Sequence, residues 1–100
     1  MTRREVYQKL KNTALDSGAV AFGVGYINDL RGHFDNLPES LTEGLINGIS
    51  IAVKVSDRVL AEIEDHPTRF YLHHYRTLNA LLDQIAVKIA TFIHTSGFDA

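Results

Sequence analysis

The stretch that decides the fold lies at the end of the chain, where residues 67–98 read PTRFYLHHYRTLNALLDQIAVKIATFIHTSGF. Apolar and aromatic residues recur four and three positions apart along it, at Tyr71, Tyr75, Leu78, Leu82, Ile85, Ile89 and Phe92. This spacing keeps one face of an α-helix apolar. Pro67 suits the first turn of such a helix, and Gly97 suits the left-handed position just after its last turn. The pattern therefore predicts one continuous helix over residues 68–96, about 43 Å long.

A helix of this length needs other elements packed along it, because most of its stability in a protein comes from burial of the apolar face. Five residues of that face are expected to be buried against strands, namely Tyr71, Leu78, Leu82, Ile85 and Ile89. The rest of the chain has to supply those strands.

The start of the chain predicts a helix followed by a strand. Thr2 and Glu5 have the spacing of a capping box, which opens a helix that runs to about Ser17 and stops at Gly18. Residues 19–26, AVAFGVGY, then alternate between large and small side chains, as a strand with two different faces does. We expect the small face of this strand to let a helix backbone approach closely.

The segment after this strand is rich in turn-forming residues. Ser40 and Glu43 again have capping-box spacing, which predicts a short helix over residues 41–46 that ends at Asn47 and Gly48.

The clearest strand in the sequence is ISIAVKV, residues 49–55, in which large apolar residues alternate with smaller or charged ones. Ser56 or Asp57 then caps a helix that continues to about Glu64. The apolar residues of this helix are expected to be buried, namely Val59, Leu60 and Ile63.

These elements predict an α+β (mixed α/β) fold in a single domain over residues 1–100. A small two-strand sheet packs against the long C-terminal helix and two or three shorter helices. A two-stranded sheet is marginal in water, and its free edges need partners. We therefore expect either a second copy of the chain, forming a homodimer, or a missing part of a larger protein to complete the sheet.

Composition excludes several classes of function. The formal net charge of −2 gives no global attraction to nucleic acid, and no apolar run approaches the ~20 residues of a membrane span. Residues 1–12 lack the apolar core of a signal peptide, so a cytoplasmic location is expected. The chain has no cysteine, which leaves it no disulfide, no thiol nucleophile and no cysteine-ligated iron–sulfur cluster.

Two motifs that resemble functional sites can be set aside. Gly23 and Gly25 do not form a phosphate loop, because Asn28 stands where the third glycine is required. His73 and His74 are adjacent, so on a helix they point about 100° apart. None of the five histidines has a partner at the i, i+4 spacing of helical zinc ligands, so no metal site is predicted. No catalytic arrangement follows from residue spacing either.

A polar cluster does stand out at the start of the long helix, formed by Tyr71, His74, Tyr75 and Asn79. His74 falls inside the apolar stripe, and Asn79 falls at its border. Two interpretations are open. The four residues are hydrogen-bonded groups of an ordinary core, or they form part of a ligand-binding site.

The chain resembles the amino-terminal region of epoxyqueuosine reductase-like iron–sulfur proteins. Residues 71–83 match the pattern Y-x-x-H-Y-R-x-x-N-x-x-L-D of a helix in that group, after a strand, a short helix and a proline–threonine corner. The segments AVAFGVGYINDLRG and NLPESL, residues 19–32 and 36–41, are similar to its opening strand and turn. The resemblance covers nearly the whole chain.

The resemblance implies a function that this chain does not complete alone. Such proteins continue beyond the equivalent of Ala100 into a region with two sets of cysteines for [4Fe–4S] clusters. The reductases proper also hold cobalamin and reduce a modified nucleoside in tRNA. The chain is therefore expected to be a cluster-free domain of an oxidoreductase, itself not catalytic, that contributes to a cofactor or substrate site and to assembly with the missing iron–sulfur domain. The alternative is a standalone interaction or dimerisation module without catalytic activity.

Overall fold

The computed structural model describes residues 2–27, 43–64 and 68–100, and the structural statements below concern these residues. Their elements, in chain order, are α1 (Arg3–Asp16), β1 (Ala21–Tyr26), β2 (Asn47–Ala52), α2 (Asp57–Ala61) and α3 (Arg69–Thr95). The two strands pair antiparallel, and the long helix α3 closes the chain. The expected mixed α+β fold is thus confirmed.

The long helix α3 is continuous over 27 residues, as predicted. It begins at Thr68, whose Oγ1 accepts a 3.0 Å hydrogen bond from the N–H of Tyr71. It ends in a Schellman motif: Gly97 has φ +91°, and the N–H of Phe98 donates to the carbonyl oxygen of Ile93 at 3.1 Å. Local capping signals therefore fix both ends of the helix.

Helix α1 follows the same logic. The Oγ1 of Thr2 accepts a hydrogen bond from the N–H of Glu5 at 3.2 Å. After the helix, Gly18 has φ +116°, and a Cβ there would lie 3.3 Å from Cδ2 of Leu81 on α3. The turn that ends α1 thus also packs it against the long helix.

The sheet has one large-residue face and one small-residue face. Phe22 lies opposite Ile51 and Val24 lies opposite Ile49, so these large side chains share a face. Phe22, Ile49 and Ile51 pack against the core between the sheet and the helices, whereas Val24 is 46% exposed. The helices therefore cover only part of the large-residue face.

The hydrophobic core lies around the second half of α3. Its buried members are Leu10, Ala14, Ala19, Ile85 and Ile89. Partly buried residues packed against it include Leu81, Phe92 and Ile93 of the same helix. Ile85 and Ile89 are buried as predicted, but Tyr71, Leu78 and Leu82 are only half-buried. The reason is that the sheet and α1 pack against the second half of α3, beyond these three residues or at their edge.

The prediction of a helix that ends at Asn47 and Gly48 is wrong. Glu43 and Gly44 form a turn, and Asn47 and Gly48 are the first residues of β2; residues 41–42 lie outside the described part. Pairing with β1 overrides the local turn preference, because Asn47 lies opposite Tyr26. The strand also starts earlier and ends earlier than predicted, at Ala52 instead of residue 55.

Helix α2 is shorter than the predicted helix to Glu64. Ser56 makes no side-chain capping bond, and the helix tightens at its end, where the N–H of Ile63 donates to the carbonyl oxygen of Leu60. Val59 is buried as expected and Ile63 is half-buried, but Leu60 is 45% exposed.

No helix packs on the small face of β1 within the described residues, contrary to expectation. A Cβ on Gly23 or Gly25 would meet no heavy atom within 4 Å. The glycines of this strand therefore do not mark a close helix contact. In the same part of the chain, no helix is long and apolar enough to cross a membrane.

Candidate functional site

His74 joins the start of α3 to the start of α2. Its Nε2 accepts a 3.0 Å hydrogen bond from the backbone N–H of Ser56, the residue just before α2. An accepting Nε2 places the ring proton on Nδ1. The side chain is half-buried, so this bond satisfies a polar group at the edge of the interior. His74 thus behaves as the hydrogen-bonded group that one of the two interpretations expected.

Tyr71 and Tyr75 lie one turn apart with their rings close together. The ring centroids are 6.1 Å apart and the ring planes are inclined by 30°. Tyr71 is half-buried, whereas Tyr75 is 51% exposed. The pair therefore runs from the interior edge of α3 to its solvent-facing side.

Asn79 points away from the interior. It is exposed, and its Nδ2 donates a 2.9 Å hydrogen bond to the carbonyl oxygen of Tyr75 in the preceding turn. Asn79 was expected at the border of a buried stripe, but the stripe is not buried at this level of the helix. Its amide oxygen and second N–H face solvent.

The four residues of the polar cluster therefore divide into two pairs. Tyr71 and His74 lie on the half-buried side of α3, and Tyr75 and Asn79 lie on the exposed side. No polar or charged residue in the described part of the chain is buried. A ligand site therefore cannot be argued here from buried polar groups that lack hydrogen-bond partners. Any such site would use Tyr75 and Asn79 as surface groups.

The first half of α3 also exposes large apolar side chains, which the sequence pattern did not predict. Leu72 is 44% exposed beside Tyr75, and Phe70 is 63% exposed on nearly the opposite side of the helix. A concentration of aromatic and aliphatic side chains in water is typical of a surface that contacts another molecule. The available signal in the sequence was the spacing of Leu72 and Tyr75, which lie three positions apart and so share one side of the helix.

A shallow, open concavity lies farther along α3. Its lining includes Asp83, Gln84, Val87 and Lys88. Lys88 also donates a 3.4 Å hydrogen bond from Nζ to the Oγ of Ser17, so this region adjoins the end of α1. An open depression of this kind does not enclose a small molecule.

The described residues offer no metal centre, since no three of their His, Asp or Glu side chains come together in a way that could hold an ion. The chain also contains no cysteine. An iron–sulfur cluster therefore does not fit the residues present. Comparison with protein-family models, curated proteins and solved structures finds no match to this chain.

Proposed function

We propose that this chain is a cluster-free binding and assembly domain of an epoxyqueuosine reductase-like iron–sulfur redox protein. In this proposal the chain carries out no reaction itself. It supplies the exposed side of the first half of α3 as a contact surface for the iron–sulfur region, or as one wall of a cofactor or substrate site.

The observation that carries the proposal is where the resemblance falls on the fold. Residues 71–83, which carry the family-like pattern, occupy the half of α3 that lies mostly outside the main core. Tyr75 is 51% exposed there, and Leu72, three positions before it on the same side, is 44% exposed. A helix whose apolar face is buried at one end and only half-buried at the other has surface left for a partner.

The proposal gives the polar cluster separate roles. His74, held by Ser56, fixes the position of α2 beside α3. Tyr75 and Asn79 offer an aromatic ring and a free amide oxygen to the partner. For cobalamin, Tyr75 would supply a ring contact and Asn79 a hydrogen-bond acceptor. A net charge of −2 favours a protein or small-molecule partner over direct contact with nucleic acid.

The first test is the coding sequence beyond the codon for Ala100. Continuation into a segment with two sets of cysteines supports the proposal. A stop codon at that point favours the second candidate, a standalone interaction module, for which the exposed apolar side chains of α3 are the supporting observation.

The second test measures binding in the full-length parent protein. Asn79→Leu removes an exposed amide, and His74→Leu removes the contact to Ser56. We expect Asn79→Leu to weaken binding of hydroxocobalamin or of the nucleoside substrate while the unfolding midpoint stays unchanged. Normal binding in both variants would contradict a ligand-site role. Ala80→Leu, at the adjacent exposed position that points about 100° away around the helix, is the control.

A further inference from the structure

A second stripe of residues runs along α3 and shares Tyr75 and the half-buried Leu82 with the edge of the stripe that faces the core. Its members recur three or four positions apart and so lie on one side of the helix: Leu72, Tyr75, Asn79, Leu82, Ala86 and Ala90. Leu72 and Tyr75 are 44% and 51% exposed, and Asn79 and Ala86 are also exposed. Among the described residues, this outer stripe makes its hydrogen bond and its ring contact only with residues of α3: Asn79 bonds to the carbonyl oxygen of Tyr75, and the ring of Tyr75 contacts that of Tyr71. It is an apolar seam with one amide near its middle.

Two opposite charges flank the outer stripe on the same side. Arg76 and Asp83 are seven residues apart, or about two helical turns, and therefore point in nearly the same direction. Both are exposed, and neither forms an ion pair with a described residue. In an antiparallel pair of α3 helices, Arg76 of each copy comes beside Asp83 of the other. A two-fold interface must be self-complementary, and this arrangement is, because it forms the same Arg76–Asp83 pair at two symmetry-related places.

The sizes of the side chains select the same direction. The outer stripe carries Leu72 and Tyr75 toward its start and Ala86 and Ala90 toward its end. In an antiparallel pair that aligns the charges, Leu72 lies nearly opposite Ala86 of the second copy, so a large side chain fills the space left by a small one. A parallel pair would oppose Tyr75 to Tyr75 and leave the alanines facing each other across a gap.

We infer that the outer stripe is the contact surface for a second copy of this chain, with the two α3 helices antiparallel about a two-fold axis near Asn79. The inference rests on the proposed use of α3 as an assembly surface, and it assigns that surface to a second copy of the chain instead of to the iron–sulfur region. Asn79 lies close to its own symmetry mate, where its free amide groups can pair across the axis. A single polar residue in an apolar helix seam fixes the register of pairing.

Charge exchange tests the arrangement on the full chain. Sedimentation equilibrium of the unsubstituted 100-residue chain is expected to show a monomer–dimer equilibrium. Arg76→Glu and Asp83→Lys each place like charges together and should raise the dimer dissociation constant about tenfold or more. The double variant Arg76→Glu/Asp83→Lys restores opposite charges and should return it to near the parent value. An equimolar mixture of the two single variants should form a mixed dimer for the same reason.

The control is Arg4→Glu, which makes the same change of net charge as Arg76→Glu at an exposed position on α1. It should leave the dissociation constant unchanged. All substituted positions are exposed, and circular dichroism verifies that each variant keeps its fold. A parent chain that stays monomeric at high micromolar concentration overturns the inference. So do variants that all dimerise equally, or a double variant no stronger than the single ones.

Cysteine cross-linking tests the direction, because the natural chain contains no cysteine. Asn79→Cys should form a disulfide-linked dimer under mild oxidation. Leu72→Cys should not, since positions 72 of antiparallel helices lie roughly 20 Å or more apart along the axis. Efficient cross-linking of both variants would show a parallel pair and overturn the proposed arrangement.

The results also separate this inference from the proposed function. A monomeric chain that still binds the iron–sulfur region or a corrinoid through Tyr75 contradicts the dimer alone. A dimer with the predicted charge dependence, from a gene without cysteine-rich sequence after Ala100, contradicts the redox setting alone.

Discussion

The imidazole of His74 and the backbone of Ser56 are joined across 18 positions of sequence by a 3.0 Å hydrogen bond from the N–H of Ser56 to Nε2. Ser56 precedes the first residue of α2 and makes no capping bond with its own side chain. A side chain of the long helix thus fixes the point at which the short helix begins.

Replacing His74 should therefore destabilise the protein through α2. His74→Leu leaves the N–H of Ser56 without its acceptor at a half-buried position, and we expect a loss of about 1 kcal/mol or more in the free energy of unfolding. His74→Gln keeps an acceptor at similar reach and should lose less. Urea denaturation measures both. His73→Leu, at the exposed neighbouring position, should stay within about 0.5 kcal/mol of the parent. Equal losses for all three variants would contradict the role of the bond.

Ile85 should be the most sensitive position of α3. Its side chain is fully buried, so Ile85→Ala leaves a cavity in the core and should cost about 2–5 kcal/mol in unfolding free energy. Val87→Ala, two residues away and 65% exposed, is the matched control and should change stability little. Leu82→Ala is expected to fall between them, because Leu82 is half-buried. A large effect at Val87 would mean that its face of the helix is covered in solution.

Two glycines of the sheet should respond in opposite directions to the same substitution. Gly48→Ala places a Cβ 2.5 Å from Cγ2 of Ile27, and the resulting clash should cost about 1–3 kcal/mol. Gly23→Ala meets no atom within 4 Å, so it should be neutral or should stabilise the protein by up to about 1 kcal/mol. Thermal and urea unfolding of the two variants make the comparison. A destabilising Gly23→Ala would indicate that something covers that face of the sheet.

Anaerobic reconstitution with iron and sulfide should leave this chain without a cluster. The reason is chemical, since the chain has no cysteine to supply a thiolate. Iron and acid-labile sulfide are quantified after gel filtration, with a cysteine-ligated ferredoxin reconstituted in parallel as the positive control. Stoichiometric iron and sulfide that travel with this chain would overturn the expectation.

The helix ends were predictable from sequence, because their causes are local. Thr2, Gly18 and Gly97 act through hydrogen bonds to residues within a few positions. Thr68 caps the start of α3 in the same way but was not the predicted signal, and Pro67, which was, lies outside the described residues. The start of β2 was not predictable in the same way. Asn47 and Gly48 favour a turn when considered alone, yet they pair with β1 more than twenty positions earlier in the chain.

The candidate site shows the same limit. Period and spacing placed His74 on the apolar side of α3 and left two interpretations open, a hydrogen-bonded core group or a ligand-site group; the contact to Ser56 fits the first. Its partner is a backbone N–H, which no pattern of side chains reveals. The exposure of Tyr75 and Asn79 depends on how far the neighbouring elements extend along α3, and that is a property of the folded chain.

The off-centre position of the core gives α3 two regions of different local stability. Residues 81–93 include every α3 side chain that belongs to the core or packs on it. Their amide hydrogens should exchange with solvent only when the whole domain unfolds. The turns before them, held by the Thr68 cap and by α2, should exchange through local fraying. Slower exchange there on adding a partner would therefore report binding even where the bound and free chains have the same average shape.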